Sequence, residues 1–120
     1  MKTVMVVDDE APIRELLGAV LGSAGFTVIA AVDGKDCLRK LESMKPDLIL
    51  LDMMMPGMSG REVCQGIRKN QKTKSLKVIF VTVAKFSETG KDTLKELKVL
   101  DYITKPFDND DLIKRVKKAI

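Results

Sequence analysis

The sequence has no histidine, only two cysteines and a single tyrosine among its 120 residues. Without histidine, a Ser-His-Asp triad and the common zinc sites lose their base or their main ligand. The cysteines, Cys37 and Cys64, form no Cys-x-x-Cys pair and read as small helix residues in a reducing compartment. No apolar stretch approaches the roughly 20 residues of a membrane helix. No signal pattern is present either, because the first apolar run, Val4 to Val7, stops at Asp8, Asp9 and Glu10. A cytoplasmic protein with no membrane partner is expected. Charge is nearly balanced, 21 Lys+Arg against 17 Asp+Glu, for a net +4. The basic residues are spread over several segments and read as solvated helix faces. No helix-turn-helix or finger pattern aims them at a groove, so no direct nucleic-acid contact is expected.

What is present suffices for one buried core: 45% of the residues are hydrophobic, and 120 residues make one ordinary domain, 1–120. There is no internal repeat, low-complexity segment or linker. Strand-like and helix-like stretches alternate five times. Thr3 to Val7 is apolar, and Ile13, Leu16, Leu17, Val20, Leu21 and Ala24 then recur at helical spacing. Pro12 suits a first helical turn and Gly25 a helix stop. Phe26 to Ala31 is a second strand, followed by Asp33-Gly34 and a helical stripe of Leu38, Leu41 and Met44 that Pro46 ends. Leu48 to Leu51 is fully apolar and runs into Asp52. A loop from Met53 to Gly60 leads to a helix opened by Val63 and Ile67. Val78 to Val81 ends at Thr82, a weaker helix covers Glu88 to Leu97, and Tyr102 to Thr104 is closed by Lys105-Pro106. Asp108 can cap a last helix carrying Leu112, Ile113, Val116 and Ile120.

Three of the five strand runs are apolar without alternation, as in strands covered on both faces. The expected fold is α/β: a doubly wound five-stranded parallel sheet with helices on each side, a three-layer sandwich. Asp8 and Asp9 follow the first strand, Asp52 the third, Thr82 the fourth and Lys105 the fifth. Ligands of such sheets bind outside the carboxyl ends of the strands. The second strand ends in Ala30-Ala31 and carries no such group, which fits an edge position in the order 2-1-3-4-5. Each residue alone has a plain structural use as a cap or turn; all of them on one edge of one sheet form a site.

Three carboxylates in one cleft repel each other at neutral pH and call for a cation. Hard oxygen ligands without histidine or thiolate point to Mg²⁺. Lys105 adds a positive charge and Thr82 a hydroxyl donor. Such a set surrounds the oxygens of a transferring phosphoryl group, and an ionised aspartate beside it is a competent nucleophile.

Over essentially its whole length the chain resembles the CheY-like receiver domains of two-component response regulators, a flavodoxin-like fold. The resemblance is carried by Val6-Val7-Asp8-Asp9-Glu10, Pro46-Asp47-Leu48-Ile49-Leu50-Leu51-Asp52, Met55-Pro56-Gly57-Met58-Ser59-Gly60, Thr82, and Asp101-Tyr102-Ile103-Thr104-Lys105-Pro106-Phe107. It implies that Asp52 is the phosphoacceptor. It implies that Asp9 and Asp52 bind Mg²⁺ directly, Asp8 through water, and Met54 through its backbone carbonyl. Lys105 would pair with the phosphoryl group, ahead of a cis bond to Pro106. Thr82 would be the switch hydroxyl and Tyr102 the aromatic that turns inward with it. The implied partners are a sensor histidine kinase or histidine phosphotransfer protein, chosen largely through the first helix around Ile13 to Leu21. A downstream target or output domain would meet the face of the fourth helix, fifth strand and last helix. Met1 directly before the first strand favours a native start; a stand-alone receiver and a part of a longer regulator both remain open.

Three positions depart from the family pattern. Val83 replaces a small residue after Thr82, and slower autodephosphorylation is expected from it. Lys98-Val99 replaces Gly-Ala after the fourth helix, whose end is therefore expected to shift. Met54 is apolar at a position that tunes phosphoryl lifetime. Met54 also counts against a haloacid-dehalogenase-type phosphohydrolase, which needs a second aspartate there and a nucleophile after the first strand. A flavodoxin-like carrier wants a hydroxyl- and glycine-rich loop where Asp8 and Asp9 stand. A non-phosphorylated interaction scaffold usually lacks the acids or the lysine, which are all present.

Overall fold

The computed structural model describes residues 2–83, 92 and 94–120. Five strands, β1 (Thr3–Val7), β2 (Thr27–Ala31), β3 (Leu48–Leu51), β4 (Val78–Thr82) and β5 (Asp101–Thr104), form one parallel sheet in the order β2-β1-β3-β4-β5. Four helices are complete among the described residues: α1 (Ala11–Ser23), α2 (Gly34–Lys40), α3 (Gly60–Lys69) and α4 (Asn109–Ala119). The expected α/β fold and strand order are borne out.

The period of two along each strand sorts the core into two layers. Met5, Val7, Ile49, Leu51, Val78 and Phe80 point to one face, where Cys37, Val63, Cys64 and Ile67 of α2 and α3 cover them. Val4, Val6, Leu48, Leu50, Ile79 and Val81 point to the other, under Leu17 and Leu21 of α1 and Leu112 and Val116 of α4. β1, β3 and β4 sit inside the sheet and are apolar at every buried position except the terminal Thr82, because both faces are covered. β2 and β5 are edges and carry exposed residues, Ala30 and Thr104 among them.

The helix signals act as expected with three corrections. Pro12 lies in the first turn of α1, and Gly25, at φ 93°, ends it. Ser59 and Glu62 close a reciprocal capping box on α3, and the Asp33 side chain accepts the Asp36 N–H at the start of α2. The first correction is Asp108, which occupies the N-cap of α4 but makes no side-chain cap bond. Asp110 and Asp111 in the first turn supply the negative charge that this end favours. The second is that α2 stops at Lys40, short of Met44. Its last turn tightens through Glu42 N–H to Arg39 O and Ser43 N–H to Lys40 O, both 3.2 Å.

The third concerns the helix expected over 88–97. Residues 84–91 and 93 lie outside the described residues; Asp92 and residues 94–96 are helical. Its end shows no shift from Leu97. The Val99 N–H donates to Leu94 O at 3.0 Å and the Lys98 N–H to Lys95 O at 3.2 Å, with Lys98 at φ 54°. This is a Schellman closure with lysine in the left-handed position that glycine usually takes. Arg68 of α3 locks the same turn: its guanidinium donates to the carbonyls of Leu97 (2.7 Å), Leu76 (2.6 Å) and Lys74 (2.8 Å).

Candidate functional site

A parallel sheet delivers every strand end to the same edge. At that edge the buried backbone of β1 and β3 stops at Asp8 and Asp52, which are 1% and 4% exposed. Asp52 is held in place by its own N–H, which donates to Val7 O at 3.0 Å, and Asp8 by its N–H to Ala31 O at 3.2 Å. Lys105 follows β5 with its N–H on Thr82 O at 2.9 Å, and its peptide bond to Pro106 is cis, as expected.

Lys105 reaches back between the two acids. Its Nζ lies 2.6 Å from Asp8 Oδ2 and 3.4 Å from Asp52 Oδ2. The remaining carboxylate oxygens take backbone donors: the Met54 N–H on Asp52 Oδ1 at 3.1 Å, and the Glu10 N–H on Asp8 Oδ1 at 3.0 Å. Arg14 of α1 donates to the Asp8 carbonyl at 2.8 Å. Neither Glu10 nor Arg14 stands among the sequence-derived site residues; both follow from α1 starting directly beyond the acids.

Burial pushes the Asp52 carboxyl above the ordinary aspartate range. The Met54 N–H and the Lys105 charge pull against it, and the Asp8 charge adds to the rise. Burial works against the Lys105 charge, but the hydrogen bond to Asp8 and the charges of Asp52 and Asp8 outweigh it and raise its pKa. Two nearly buried carboxylates around one ammonium leave an uncompensated negative charge. Oxygens of Asp8, Asp9 and Glu10 also lie within 4.8 Å of one another, and Asp9 and Glu10 are exposed. An all-oxygen donor set with surplus negative charge fits a hard divalent cation.

The structure thus brings Asp8, Asp52 and Lys105 into contact, with Asp9 beside them. Thr82 is fully buried at the end of β4. Met54 and Val83 both present side chains that are 60% exposed on this edge. Tyr102 is half-buried, packs against the layer under α2 and α3, and lines a cleft of about 370 Å³ with Phe107, Asp108 and Arg115. That cleft lies beside the acids and does not include them, and a metal-phosphoryl site needs no deep cavity. No described helix is long and apolar enough to cross a membrane.

Residues 4–117 match the family described as the response regulator receiver domain. The chain is 40% identical, over 119 residues, to the phosphate regulon transcriptional regulatory protein PhoB of Pseudomonas aeruginosa, covering 99% of this chain and 52% of that protein. It therefore spans about half the length of this relative. Among solved structures it is similar to the chemotaxis protein CheY4 of Vibrio cholerae, with a TM-score of 0.93 and 29% identity over 100% of this chain and 99% of the other. It is also similar to the response regulator protein TrrA of Thermotoga maritima in complex with Mg²⁺-BeF, with a TM-score of 0.85 and 39% identity over the whole of both chains. The parallel sheet covered by helices on both faces, its acidic carboxyl edge and these matches agree: the chain belongs to the receiver-domain family of two-component response regulators.

Proposed function

We propose that residues 1–120 act as one receiver domain, in which Asp52 accepts a phosphoryl group from a phosphohistidine of a sensor kinase or histidine phosphotransfer protein. The observation that carries this is Lys105 set between buried Asp8 and Asp52 at the carboxyl edge of the sheet. The domain is a signalling element and not a classical enzyme; the chemistry it performs is on itself.

The Asp52 carboxylate attacks phosphorus and an oxygen–phosphorus bond forms as the bond from phosphorus to the donor imidazole breaks; with the donor's other ring nitrogen protonated, the leaving group departs as neutral imidazole. Asp8, Asp9, Asp52 and the Met54 carbonyl would hold Mg²⁺, which supplies charge neutralisation for the transferring phosphoryl oxygens. Lys105 exchanges Asp8 for a phosphoryl oxygen, and the Thr82 hydroxyl donates to another. As Thr82 moves, Tyr102 turns inward, and the surface of β5, α4 and the helical residues Asp92 and 94–96 changes for a downstream target or output domain. The site of action is the cytoplasm.

Intact mass after incubation with Mg²⁺ and acetyl phosphate tests this. The expected result is one added phosphoryl group in the wild type, none without Mg²⁺ and none in Asp52→Asn. Addition to Asp52→Asn, or none to folded wild type with either acetyl phosphate or a phosphorylated histidine donor, overturns it.

A further inference from the structure

The charges of this protein are unevenly divided between its poles. At the carboxyl pole exposed Asp9, Glu10, Glu62, Asp108 and Asp110 outnumber exposed Lys35 and Arg61. At the opposite pole, exposed Lys2, Lys45, Lys72, Lys74 and Lys77 lie in the loops that lead into β1, β3 and β4, with exposed Lys118 at the end of α4. Helix electrostatics explains part of this, since acids favour first turns and bases last turns. Asp36 and Arg39, Glu62 and Lys69, and Asp110 and Lys117 obey that rule. The loop lysines belong to no helix end, so helix stability does not account for them.

These lysines adjoin one another. Lys2, Lys45 and Lys77 line one cleft of about 220 Å³, Lys45 and Lys72 line the next, and Lys77 and Lys118 a third. None of them forms an ion pair with a described residue. Of the acids nearby, Asp47 Oδ2 accepts the Thr3 N–H at 2.8 Å and Asp101 is held by Arg115 at 2.9 Å, while exposed Glu42 lines the Lys45–Lys72 cleft and offsets one of its charges.

We propose that the lysine pole docks the acidic pole of a second copy of this chain, giving head-to-tail self-association. Both complementary surfaces are present on each molecule, and opposite potentials favour that orientation over any other. The molecule measures 33 × 32 × 27 Å. The poles are therefore several Debye lengths apart at physiological salt (~8 Å), and each acts as its own field. An end face of that size is comparable with the ~800 Å² that each partner of a specific interface buries. None of the three lysine clefts is lined by an aromatic residue on which a nucleic-acid base could stack. One pole meeting the other is a heterologous contact, so the products are open chains and not closed dimers. A copy stacked on the acidic pole covers Asp8 and Asp52. The inference rests on the charge layout and holds whether or not Asp52 is the phosphoacceptor.

Sedimentation equilibrium of the whole chain tests it. At about 0.01 M salt the weight-average mass is expected to rise roughly twofold as protein approaches the ~1 mM Kd scale of a weak contact, and to return to monomer near 1 M salt. Lys45→Glu/Lys72→Glu/Lys77→Glu and Asp108→Lys/Asp110→Lys should each stay monomeric alone. Mixed, they should associate again, because each then presents poles complementary to the other's; matching thermal melts show that both are folded. A monomeric wild type at low salt overturns the proposal, as does association of the triple lysine variant equal to wild type. Binding of duplex DNA to the lysine pole without self-association would reassign that pole to a polyanion and also overturn it.

Discussion

Gly60 opens α3 directly against the backbone that carries Asp52. A Cβ added there would lie 2.3 Å from the Asp52 carbonyl oxygen, 2.7 Å from Met53 Cα and 2.9 Å from the Asp52 carbonyl carbon. All three are main-chain atoms of the end of β3 and its loop, so no rotamer change relieves the clash. The Gly60 N–H also donates to Met53 O at 3.0 Å, which fixes the separation. Two other glycines calibrate the cost. At Gly34 a Cβ meets side chains instead, Val63 Cγ2 at 2.5 Å and Met58 Sδ at 2.9 Å. At Gly22, exposed near the end of α1, it meets nothing within 4 Å. Overpacking costs typically about 1–3 kcal/mol, so Gly60→Ala is expected to lose ~3 kcal/mol or more and Gly34→Ala ~1–2 kcal/mol. Gly22→Ala should gain roughly 0.5–1 kcal/mol from helix propensity. Urea denaturation followed by far-ultraviolet circular dichroism reads all three. Gly60→Ala should also lose phosphoryl uptake beyond its unfolded fraction, because the strain is released into Asp52. A Gly60→Ala protein no less stable than Gly34→Ala would refute the reasoning that this helix start is pressed onto the backbone that carries Asp52.

Three further outcomes are expected. Burial pushes the Cys37 thiol up to about 12, and Cys64 is raised by the same cause, so neither should react with a soluble disulfide reagent at pH 8 until the protein is unfolded in urea; prompt reaction of the native protein would contradict that burial. Arg39, the Val32 N–H and Lys40 hold Asp36 down at about 2. This stabilisation is present above the unfolded value of 3.8 and lost as pH falls through about 2. Asp36→Asn should therefore melt below wild type at pH 7, with the gap closing between pH 4 and pH 2; a constant gap would remove charge as the cause. Val83→Ala, which opens the edge beside Asp52, should speed loss of the phosphoryl group severalfold, read by the decay of the added mass; an unchanged rate would exclude steric shielding by Val83.

The site was legible because its information is positional. Three apolar runs and the short Tyr102–Thr104 strand stop at residues that carry charge or a hydroxyl, and a parallel sheet can only gather those ends at one edge. What the residues could not tell is how the edge resolves its charges. That Lys105 sits closer to Asp8 than to Asp52 depends on the path of the β5–α4 loop and on the Met54 and Glu10 N–H groups already occupying the other oxygens. Arg68 was silent for a similar reason. Its acceptors are main-chain carbonyls, which have no sequence signature, and Leu97 is 29 positions away.

The end of the helical segment at 94–96 shows where a residue-level rule misled. Gly25 and Lys98 occupy the same station in two identical closures. Phe26 N–H to Leu21 O and Gly25 N–H to Gly22 O, both 3.1 Å, repeat the bonds around Lys98. A lysine, unlike glycine, resists the left-handed region. The chain instead accepts that conformation, at φ 54°, because the two closing hydrogen bonds and the Arg68 donors to Leu97 and Lys98 are worth more than the cost. For an L-residue that cost is about 1–2 kcal/mol, and glycine offsets part of the relief by its freer unfolded chain. Lys98→Gly should therefore stabilise the protein by roughly 0.5–1 kcal/mol, and Gly25→Ala, with open space around its Cβ, should destabilise it by about 1 kcal/mol through backbone strain alone. Paired urea titrations measure both. Opposite signs at the two positions mean that the hydrogen-bonded frame dictates the conformation and the residue only sets its cost; a Lys98→Gly protein less stable than wild type would mean that the lysine side chain itself holds the turn.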